Sequence, residues 1–265
     1  MKYFSVRNRS ILNELVRADF KIRYQGSVLG YTWSLLRPLL LFSVLYVIFM
    51  YVIPLGKGVE HFPVFLLTGV ILWNFFAECT TQGVSSVVSR GDLIRKINLP
   101  KYLLVFATAT SALINLFFGL IVLFIFALIS GIMPSFEWLL LIPIIFELLV
   151  FSVGLSFLLS SLYVKFRDIS YIWEVFLQIG IYASAIIFPL SSVIVPLRKW
   201  FFLNPIVQII QDARYVLATH HSVTIWDTPG VGWIRILIPF FIVIFFAIVG
   251  GLVFKARSKM FAEDI

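Results

Sequence analysis

The chain of 265 residues is 61% hydrophobic and 17% aromatic, and only 13% of its residues are charged. Soluble domains are roughly 45–50% apolar and about 25% charged, so most of this chain must be solvated by lipid. Its one cysteine excludes a secreted disulfide scaffold, and its mean hydropathy of +1.02 excludes a disordered chain.

The net charge of +8 comes from short connecting segments between the apolar runs rather than from one continuous basic stretch. This distribution is typical of cytoplasmic loops that face anionic lipid headgroups. We therefore expect membrane lipid, and no nucleic acid, to be the partner of these charges.

Six segments are long and apolar enough to cross about 30 Å of hydrocarbon. They are Trp33–Ile53, Pro63–Val88, Tyr102–Ile129, Trp138–Tyr163, Tyr171–Leu190 and Trp233–Phe254. The fifth is the shortest and ends at Pro189, which predicts a bend near its outer end. The sequence predicts an all-α membrane protein with six transmembrane helices that form a single domain over residues 1–265. Residues 1–32 form a cytoplasmic amphipathic segment, residues 33–254 hold the spans, and residues 255–265 are a cytoplasmic tail.

The basic residues predict the orientation of these spans. With the N-terminus inside, 16 of the 21 lysines and arginines fall on the cytoplasmic side. Both termini are therefore expected in the cytoplasm, and the chain in the cytoplasmic membrane. The first span begins too late for a cleaved signal peptide, so we expect the chain to be retained whole.

Residues Asn8–Tyr24 have the spacing of an amphipathic helix, although Asp19 and Arg23 interrupt its apolar stripe. The apolar side comprises Ile11, Leu12, Leu15, Val16 and Ile22, and the polar side comprises Glu14, Arg17 and Lys21. Such a helix either anchors the chain to the cytoplasmic membrane surface or contacts a partner protein.

The cytoplasmic loop Ser89–Lys101 contains a second predicted helix, over Leu93–Asn98, which Asp92 would cap and Pro100 would prevent from extending. Three large aliphatic side chains on this helix favour docking into a groove of a soluble partner over a solvated turn. The predicted docking residues are Asp92, Leu93, Ile94, Arg95, Lys96 and Ile97.

The stretch Leu190–Gly232 lies outside the membrane in this topology, yet it is apolar. Asn204 followed by Pro205 is typical of a helix start, because asparagine caps free amides and proline has none to satisfy. The helix would place Ile206, Ile209, Ile210, Ala213 and Leu217 on one face, with Gln208, Gln211 and Asp212 opposite. We expect this segment to re-enter the membrane or to lie along its outer leaflet.

No energy-converting motif is present in the sequence. The phosphate-binding pattern G-x-x-x-x-G-K-[ST] does not occur, and neither does H-E-x-x-H. His220 and His221 are adjacent, a spacing that favours surface residues over a metal site. We expect no cofactor or metal in this chain, so a transporter of this kind takes its energy from a gradient or from a partner.

Glu78 lies inside the second predicted span, with Asn74 and Gln82 on the same helical face. A charge at the bilayer centre costs at least about 2.5–3.5 kcal/mol, so such acids usually face a cavity or a partner. The stripe is either a polar wall of a pathway or subunit contact, or a locally paired carboxyl between helices.

Several stretches together resemble the membrane subunits of type-2 ABC exporters for cell-envelope polysaccharides such as O-antigen, wall teichoic acid and capsule. They are RYQGSVLGYTWSLLRPLL (Arg23–Leu40), IRKINLPKYL (Ile94–Leu103), KFRDISYIWEVFLQIGIYAS (Lys165–Ser184), FPLSSV (Phe188–Val193) and LNPIVQIIQDARYVL (Leu203–Leu217). The resemblance implies a homodimer of six-span permeases, and two copies of a separate ATPase subunit that binds ATP and Mg²⁺.

The resemblance also implies roles for particular segments. Residues Asp92–Asn98 match the coupling helix that receives the movement of the ATPase, and the N-terminal amphipathic helix matches the interfacial helix. Leu203–Leu217 matches re-entrant helices that narrow the exit, whose candidate residues are Asn204, Pro205, Gln208, Gln211, Asp212 and Arg214. The first and fifth spans would line the conduit, with Tyr31, Trp33, Tyr46, Asn74, Glu78, Trp173 and Tyr182 as candidate lining residues. Each aromatic could equally be a belt or packing residue.

The expected function is therefore that of a permease subunit, not itself an enzyme, that exports a lipid-linked polysaccharide of the teichoic acid or O-antigen type. One alternative is a gradient-driven carrier that uses Glu78 as its proton site, and another is a membrane glycosyltransferase. Arg198, Lys199 and Arg214 on the outside would suit an anionic polymer, although the sequence does not specify which polymer is carried.

Overall fold

The computed structural model of the chain describes residues 6–24, 30, 32–97, 99–228 and 232–261. Within these ranges the chain forms α-helices and short 3₁₀ or π turns, and no β-strand. The helices are α1 (Val6–Tyr24), α2 (Thr32–Val47), α3 (Phe62–Ser85), α4 (Gly91–Lys96), α5 (Tyr102–Ile129), α6 (Leu141–Lys165), α7 (Ile169–Ala183), α8 (Val195–Phe201), α9 (Pro205–Leu217) and α10 (Trp233–Arg257). The expectation of an all-α protein is confirmed for the described part of the chain.

In the part of the chain that the structure describes, four helices are long and apolar enough to cross a membrane: α3, α5, α10, and α6 together with the 3₁₀ turn Phe136–Leu140 that leads into it. They correspond to the second, third, sixth and fourth predicted spans, and α5 has the predicted bounds. The chain is therefore a multi-pass membrane protein.

The first and fifth predicted spans form shorter apolar helices. Helix α2 continues through one π-helical turn, Ile48–Val52, whereas α7 has only 15 residues. At 1.5 Å per residue, α7 is about 22 Å long, less than the thickness of the hydrocarbon core. Helix α7, the fifth predicted span, ends at Ala183 rather than at Leu190, because Ala185 adopts a left-handed conformation with φ of 49°.

Helix α3 is the centre of the bundle and packs against α2, α5, α6, α7 and α9. In an 18-residue apolar stretch of α3, 78% of the residues are buried, compared with 28% in such a stretch of α5 and 22% in one of α10. Since lipid is as apolar as these side chains, the exposed faces of α5 and α10 are suited to contact the bilayer, whereas α3 contacts protein.

Helices α6 and α10 pack closely because glycines lie where they meet. A Cβ atom on Gly154 would lie 2.7 Å from the Cα atom of Ala247, and one on Gly250 would collide with the carbonyl oxygen of Gly154. Small residues allow this close backbone approach, which is the main source of helix association in membranes.

Candidate functional site

One apolar cluster joins the helix ends on the side of the bundle where α4 lies. We call it the cytoplasmic cluster, after the orientation that the basic residues indicate. Its buried members come from α1, α4, α5, α6, α10 and the connecting segments. They are Leu15, Val87, Ile94, Leu99, Leu103, Leu104, Val105, Ala107, Val164, Phe254 and Phe261. Helix α4 and four longer helices therefore contribute buried side chains to one apolar cluster.

Helix α4 begins two residues earlier than the sequence indicates. It extends over Gly91–Lys96, and its N-cap residue is Arg90, with no side-chain cap. The prediction that Asp92 caps this helix is wrong, because Gly91 already has helical backbone angles and Asp92 lies in the first turn. An acidic side chain there still interacts favourably with the helix dipole.

The three aliphatic residues of this loop do not share one environment. Ile94 is only 8% exposed and belongs to the cytoplasmic cluster, Leu93 is partly buried against it, and Ile97 is 48% exposed. The expectation that all three face a partner is corrected for Ile94, which anchors α4 to its own chain. The side chains that remain exposed are Asp92, Arg95, Lys96 and Ile97.

Helix α1 packs on the protein as well as presenting a polar face. Leu15 is buried in the cytoplasmic cluster, and the amide of Asn8 donates a hydrogen bond to the hydroxyl of Tyr102 at 3.1 Å. Ile11, Leu12 and Val16 pack against the same cluster. Ile22 departs from the expected apolar face and is 75% exposed, since it lies in the last turn, beyond the region packed on α5.

Asp19 forms an ion pair with Arg90, which lies between α3 and α4. Both side chains are only 16% exposed, and burial lowers the pKa of the Arg90 guanidinium, which nevertheless stays charged at neutral pH. The acid that interrupts the apolar stripe of α1 thus has a specific partner. The spacing of residues within α1 could not reveal this contact, because Arg90 is 71 residues away.

Helix α9 begins where the sequence predicts. The side-chain oxygen of Asn204 accepts a hydrogen bond from the backbone amide of Ile206 at 3.0 Å, and its amide donates to the hydroxyl of Ser184 at 3.0 Å. The expected polar face is not exposed, because Gln208 and Gln211 are each only 1% exposed. Helix α9 lies against α3, α6 and α10, so these amides contact the protein itself.

Arg214 is fully buried and holds together three segments. Its guanidinium donates to the carbonyl oxygens of Phe65 (3.0 Å), Ala185 (2.8 Å) and Ile186 (2.7 Å), and to the side-chain oxygen of Gln211 (2.9 Å). It also lies 3.7 Å from the centre of the Phe65 ring. The expectation that Arg214 attracts an anionic polymer is therefore corrected: its hydrogen bonds satisfy carbonyl groups that the break after α7 leaves without helical partners.

Asp212 and Glu147 are linked through one amide group. Nε2 of Gln208 donates to Oδ2 of Asp212 at 2.6 Å and lies 3.5 Å from Oε2 of Glu147. This contact connects α9 to the interior of α6. Asp212 therefore shares a hydrogen-bond donor with Glu147 of α6, and its expected role at an exit stays a prediction.

Glu78 accepts two hydrogen bonds through the same oxygen, from the amide of Gln82 at 2.9 Å and from that of Asn115 on α5 at 2.7 Å. Of the two interpretations of the polar stripe, this geometry favours the locally paired carboxyl. Asn115 was not anticipated from the sequence, because it lies alone in the apolar run of α5. Asn74 is partly buried on the same helix.

The aromatic conduit candidates occupy different environments. Nε1 of Trp173 donates to the hydroxyl of Thr80 on α3 at 3.0 Å, and Tyr46 packs against the core of the bundle. Trp33 and Tyr182 are 45% and 64% exposed on α2 and α7, respectively. Tyr31 lies outside the described residues, as does Asn98, the expected last residue of the coupling helix.

Apolar helices packed around one buried central helix are the arrangement of a multi-pass membrane protein. Residues 12–218 match the family model described as ABC-2 type transporter, and the chain belongs to this family. Members of the family are membrane subunits of ABC transporters, so membership implies an ATPase partner subunit.

The chain is similar to proteins that carry the name O-antigen export system permease protein RfbA. The protein from Myxococcus xanthus is 25% identical over 97% of this chain and 96% of its own length, and one from Klebsiella pneumoniae is 27% identical over 99% and 98%. The polysialic acid transport protein KpsM of Escherichia coli is 24% identical over 74% of this chain and 76% of its own length.

Proposed function

We propose that this chain is the permease subunit of an ATP-driven exporter, and that it moves a lipid-linked polysaccharide of the O-antigen or teichoic acid type across the cytoplasmic membrane. Family membership and the names of the relatives support this function. The structural observation that carries it is the environment of α4 and of the residue that follows it: Ile94 within the helix is buried, whereas Ile97, directly after the helix, is exposed.

The exposed side of α4 is the proposed docking surface for the ATPase. Arg95 and Lys96 supply positive charge there, and Ile97 supplies an apolar contact suited to a groove. Two ATPase copies would bind ATP and Mg²⁺ beneath two permease copies, while this chain itself holds no cofactor. In this arrangement the permease is not an enzyme by itself.

The proposed homodimer would form along α2 and α7. Every residue of α7 is at least partly exposed, and its apolar side chains Tyr171, Val175, Phe176, Ile179 and Tyr182 are all more than half exposed. A helix of about 22 Å gains stability from a protein neighbour, since lipid alone does not match its length. The conduit would then lie between the two copies, and Tyr182 would be near it.

The proposed topology has six crossings with both termini in the cytoplasm. Residues 1–32 form the cytoplasmic segment, residues 33–254 the spans, and residues 255–265 the tail of one transmembrane domain. The charges of Lys165, Arg167, Lys255 and Arg257 lie on the same side as α4 and support this orientation.

In the proposed mechanism, ATP binding closes the two ATPase subunits and moves α4. Because Ile94 is packed in the cytoplasmic cluster, α1, α5, α6 and α10 receive the movement by contact. Helix α1 continues towards α2, and α6 towards α7, so both helices at the proposed dimer interface would shift and open the conduit to the glycan.

The test is a reconstitution of the full chain with the ATPase subunit that co-purifies with it, in vesicles loaded with the lipid-linked glycan. We expect glycan transfer only in the presence of both the ATPase and ATP. Export by the permease alone, driven by a pH gradient, would overturn the proposal in favour of a carrier.

The docking residue is tested by comparing Ile97→Asp with Ile97→Val in the same vesicles. The charged variant should keep the wild-type melting temperature but hydrolyse ATP without export, because Ile97 is exposed in the protomer. Ile94→Asp is expected to unfold instead, since it buries a charge in the cytoplasmic cluster. Wild-type export by Ile97→Asp would refute the docking surface.

A further inference from the structure

A cavity of about 470 Å³ opens at the end of the bundle opposite α4. It is formed by the residues just before α3, the connection between α5 and α6, and the last turn of α9 with the residues that follow it. Helix α3 leads from this cavity to α4, and α5 leads from α4 back to it. In the proposed orientation the cavity therefore faces the outside of the membrane.

The cavity wall combines carboxylates, imidazoles and aromatic rings from these separate segments. They are Glu60, His61, Glu137, Trp138, Tyr215 and His220. Oε1 of Glu60 lies 3.7 Å from Nε2 of His61, and Oε2 of Glu137 lies 3.4 Å from Nε2 of His220. The Tyr215 and His220 rings meet edge to face at 4.9 Å between their centres.

The backbone at the edge of this cavity is strained. His61 has φ of 48° and ψ of 41°, a left-handed conformation that costs energy for a residue with a Cβ atom. Among the described residues other than glycine, only Ala185 shares a positive φ. Such strain persists where surrounding structure imposes it, and it is concentrated at ligand-binding and functional sites.

The lining restricts the chemistry of a ligand. A volume of about 300–1,000 Å³ with aromatic walls and a few polar groups is typical of small-molecule sites. The carboxylates of Glu60 and Glu137 accept hydrogen bonds from hydroxyl groups, while the face of a pyranose ring packs on aromatic side chains. Among the described residues, no lysine or arginine lines the cavity, so an anionic group would meet two acids and no permanent cation from this part of the chain. Within the described ranges, no cluster of histidine, cysteine or acidic residues could hold a metal ion.

We propose that this outer cavity binds an uncharged sugar residue. During export, the cavity would hold the polymer once the polymer has left the conduit. This role rests on the proposed function. The cavity favours a neutral glycan over a phosphate-containing or sialic acid polymer, in contrast to the expectation based on basic residues outside.

Binding is tested with the full chain in detergent by saturation-transfer NMR. The probes are methyl glycosides of glucose, galactose, mannose and rhamnose, with glucose 1-phosphate and glucosamine as charged comparators. We expect transfer to at least one neutral probe and weaker transfer to both comparators. No transfer to any neutral probe, or stronger transfer to either comparator, would overturn the proposal.

Two variants locate the site. Glu137→Gln and Tyr215→Ala change side chains that are partly or largely exposed, and each should weaken neutral-sugar binding at least about fivefold, as expected for one lost contact. Glu14→Gln, an exposed acid on α1 at the opposite end of the bundle, is the matched control and should bind as the wild type does. Equal binding by all three variants would place the sugar elsewhere and refute the proposal.

The same proteins in ATPase-containing vesicles separate this proposal from the proposed function. If Tyr215→Ala loses sugar binding but exports the glycan as the wild type does, only the role of the cavity in export is refuted. Absence of ATP-dependent export by the wild type would refute the proposed function, whatever the NMR result.

Discussion

Asp19 of α1 and Arg90, which directly precedes α4, form an ion pair in which each side chain is only 16% exposed. The pair joins the N-terminal helix to the proposed coupling helix outside the apolar contacts of the cytoplasmic cluster. The two elements are therefore expected to move together when the ATPase displaces α4.

Asp19→Ala should destabilise the protein by about 1–3 kcal/mol, because it leaves Arg90 largely buried without its carboxylate partner. The thermal unfolding midpoint in detergent should fall, and ATP-dependent export should fall with it. Glu14→Ala is the control, since its pair with Arg17 is more than 70% exposed on both sides and contributes little.

The exchange Asp19→Arg with Arg90→Asp tests whether the pair itself is responsible. We expect the thermal unfolding midpoint of the double variant to lie closer to that of the wild type than the midpoint of either single variant does. A double variant less stable than both single variants would contradict a specific pair.

Gly250→Ala and Gly251→Ala form a matched pair on α10. A Cβ atom at position 250 would collide with the carbonyl oxygen of Gly154, whereas nothing lies within 4 Å of a Cβ atom at position 251. Gly250→Ala should separate α6 from α10 and cost about 1–3 kcal/mol, and Gly251→Ala should be neutral or slightly stabilising. Thermal unfolding in detergent measures both, and similar midpoints would contradict this packing.

Arg214→Lys should destabilise the protein nearly as much as Arg214→Met. Four acceptors surround a planar guanidinium, and an ammonium group cannot reproduce that fork. We expect limited proteolysis to detect opening of the segment around Ala185 and Ile186 in both variants. Full protection of Arg214→Lys would show that charge alone suffices.

Gly69→Ala provides an independent test of the same contact. A Cβ atom there would lie 2.7 Å from Nη2 of Arg214, so the guanidinium would have to move. Gly69→Ala should therefore destabilise the protein and open the segment around Ala185 and Ile186 to proteolysis, as expected for Arg214→Lys. Gly58→Ala is the control, because nothing lies within 4 Å of a Cβ atom at that position.

Glu78→Gln should retain ATP-dependent export. The hydrogen bonds from Gln82 and Asn115 need an oxygen acceptor but no charge, and glutamine keeps that oxygen. Glu78→Leu should lower stability by about 1–3 kcal/mol, since it leaves the Asn115 amide without its acceptor. Loss of export in Glu78→Gln at unchanged stability would instead support a proton-carrying role for this carboxyl.

The membrane class of the protein follows from the sequence, because long apolar runs have one stable environment. The bounds of α5 agree with prediction, since no charge occurs between Lys101 and Glu137. The start of α9 was also predictable, because capping by Asn204 and the ring geometry of Pro205 act within a single turn. The stretches that resemble membrane subunits of type-2 ABC exporters likewise indicated the transporter class.

Only the tertiary structure decided which side of each short helix faces protein. The sequence grouped Ile94 with Ile97 on one predicted helix, yet Ile94 is buried in the cytoplasmic cluster, whereas Ile97 follows the end of α4 in an extended conformation and is exposed. The partners of isolated polar residues could not be predicted from local spacing either. Asp19, Asn115 and Arg214 each have a partner that is 37 to 149 residues away in the sequence.

What the sequence determined by itself is thus the lipid environment of the chain and the local starts of helices, which depend on composition or on neighbours along the chain. What the tertiary structure decided is the pairing of polar groups, the early end of α7 and the outer cavity. These depend on where separate helices meet, because a buried polar group is stabilised only by the partner that packing brings to it.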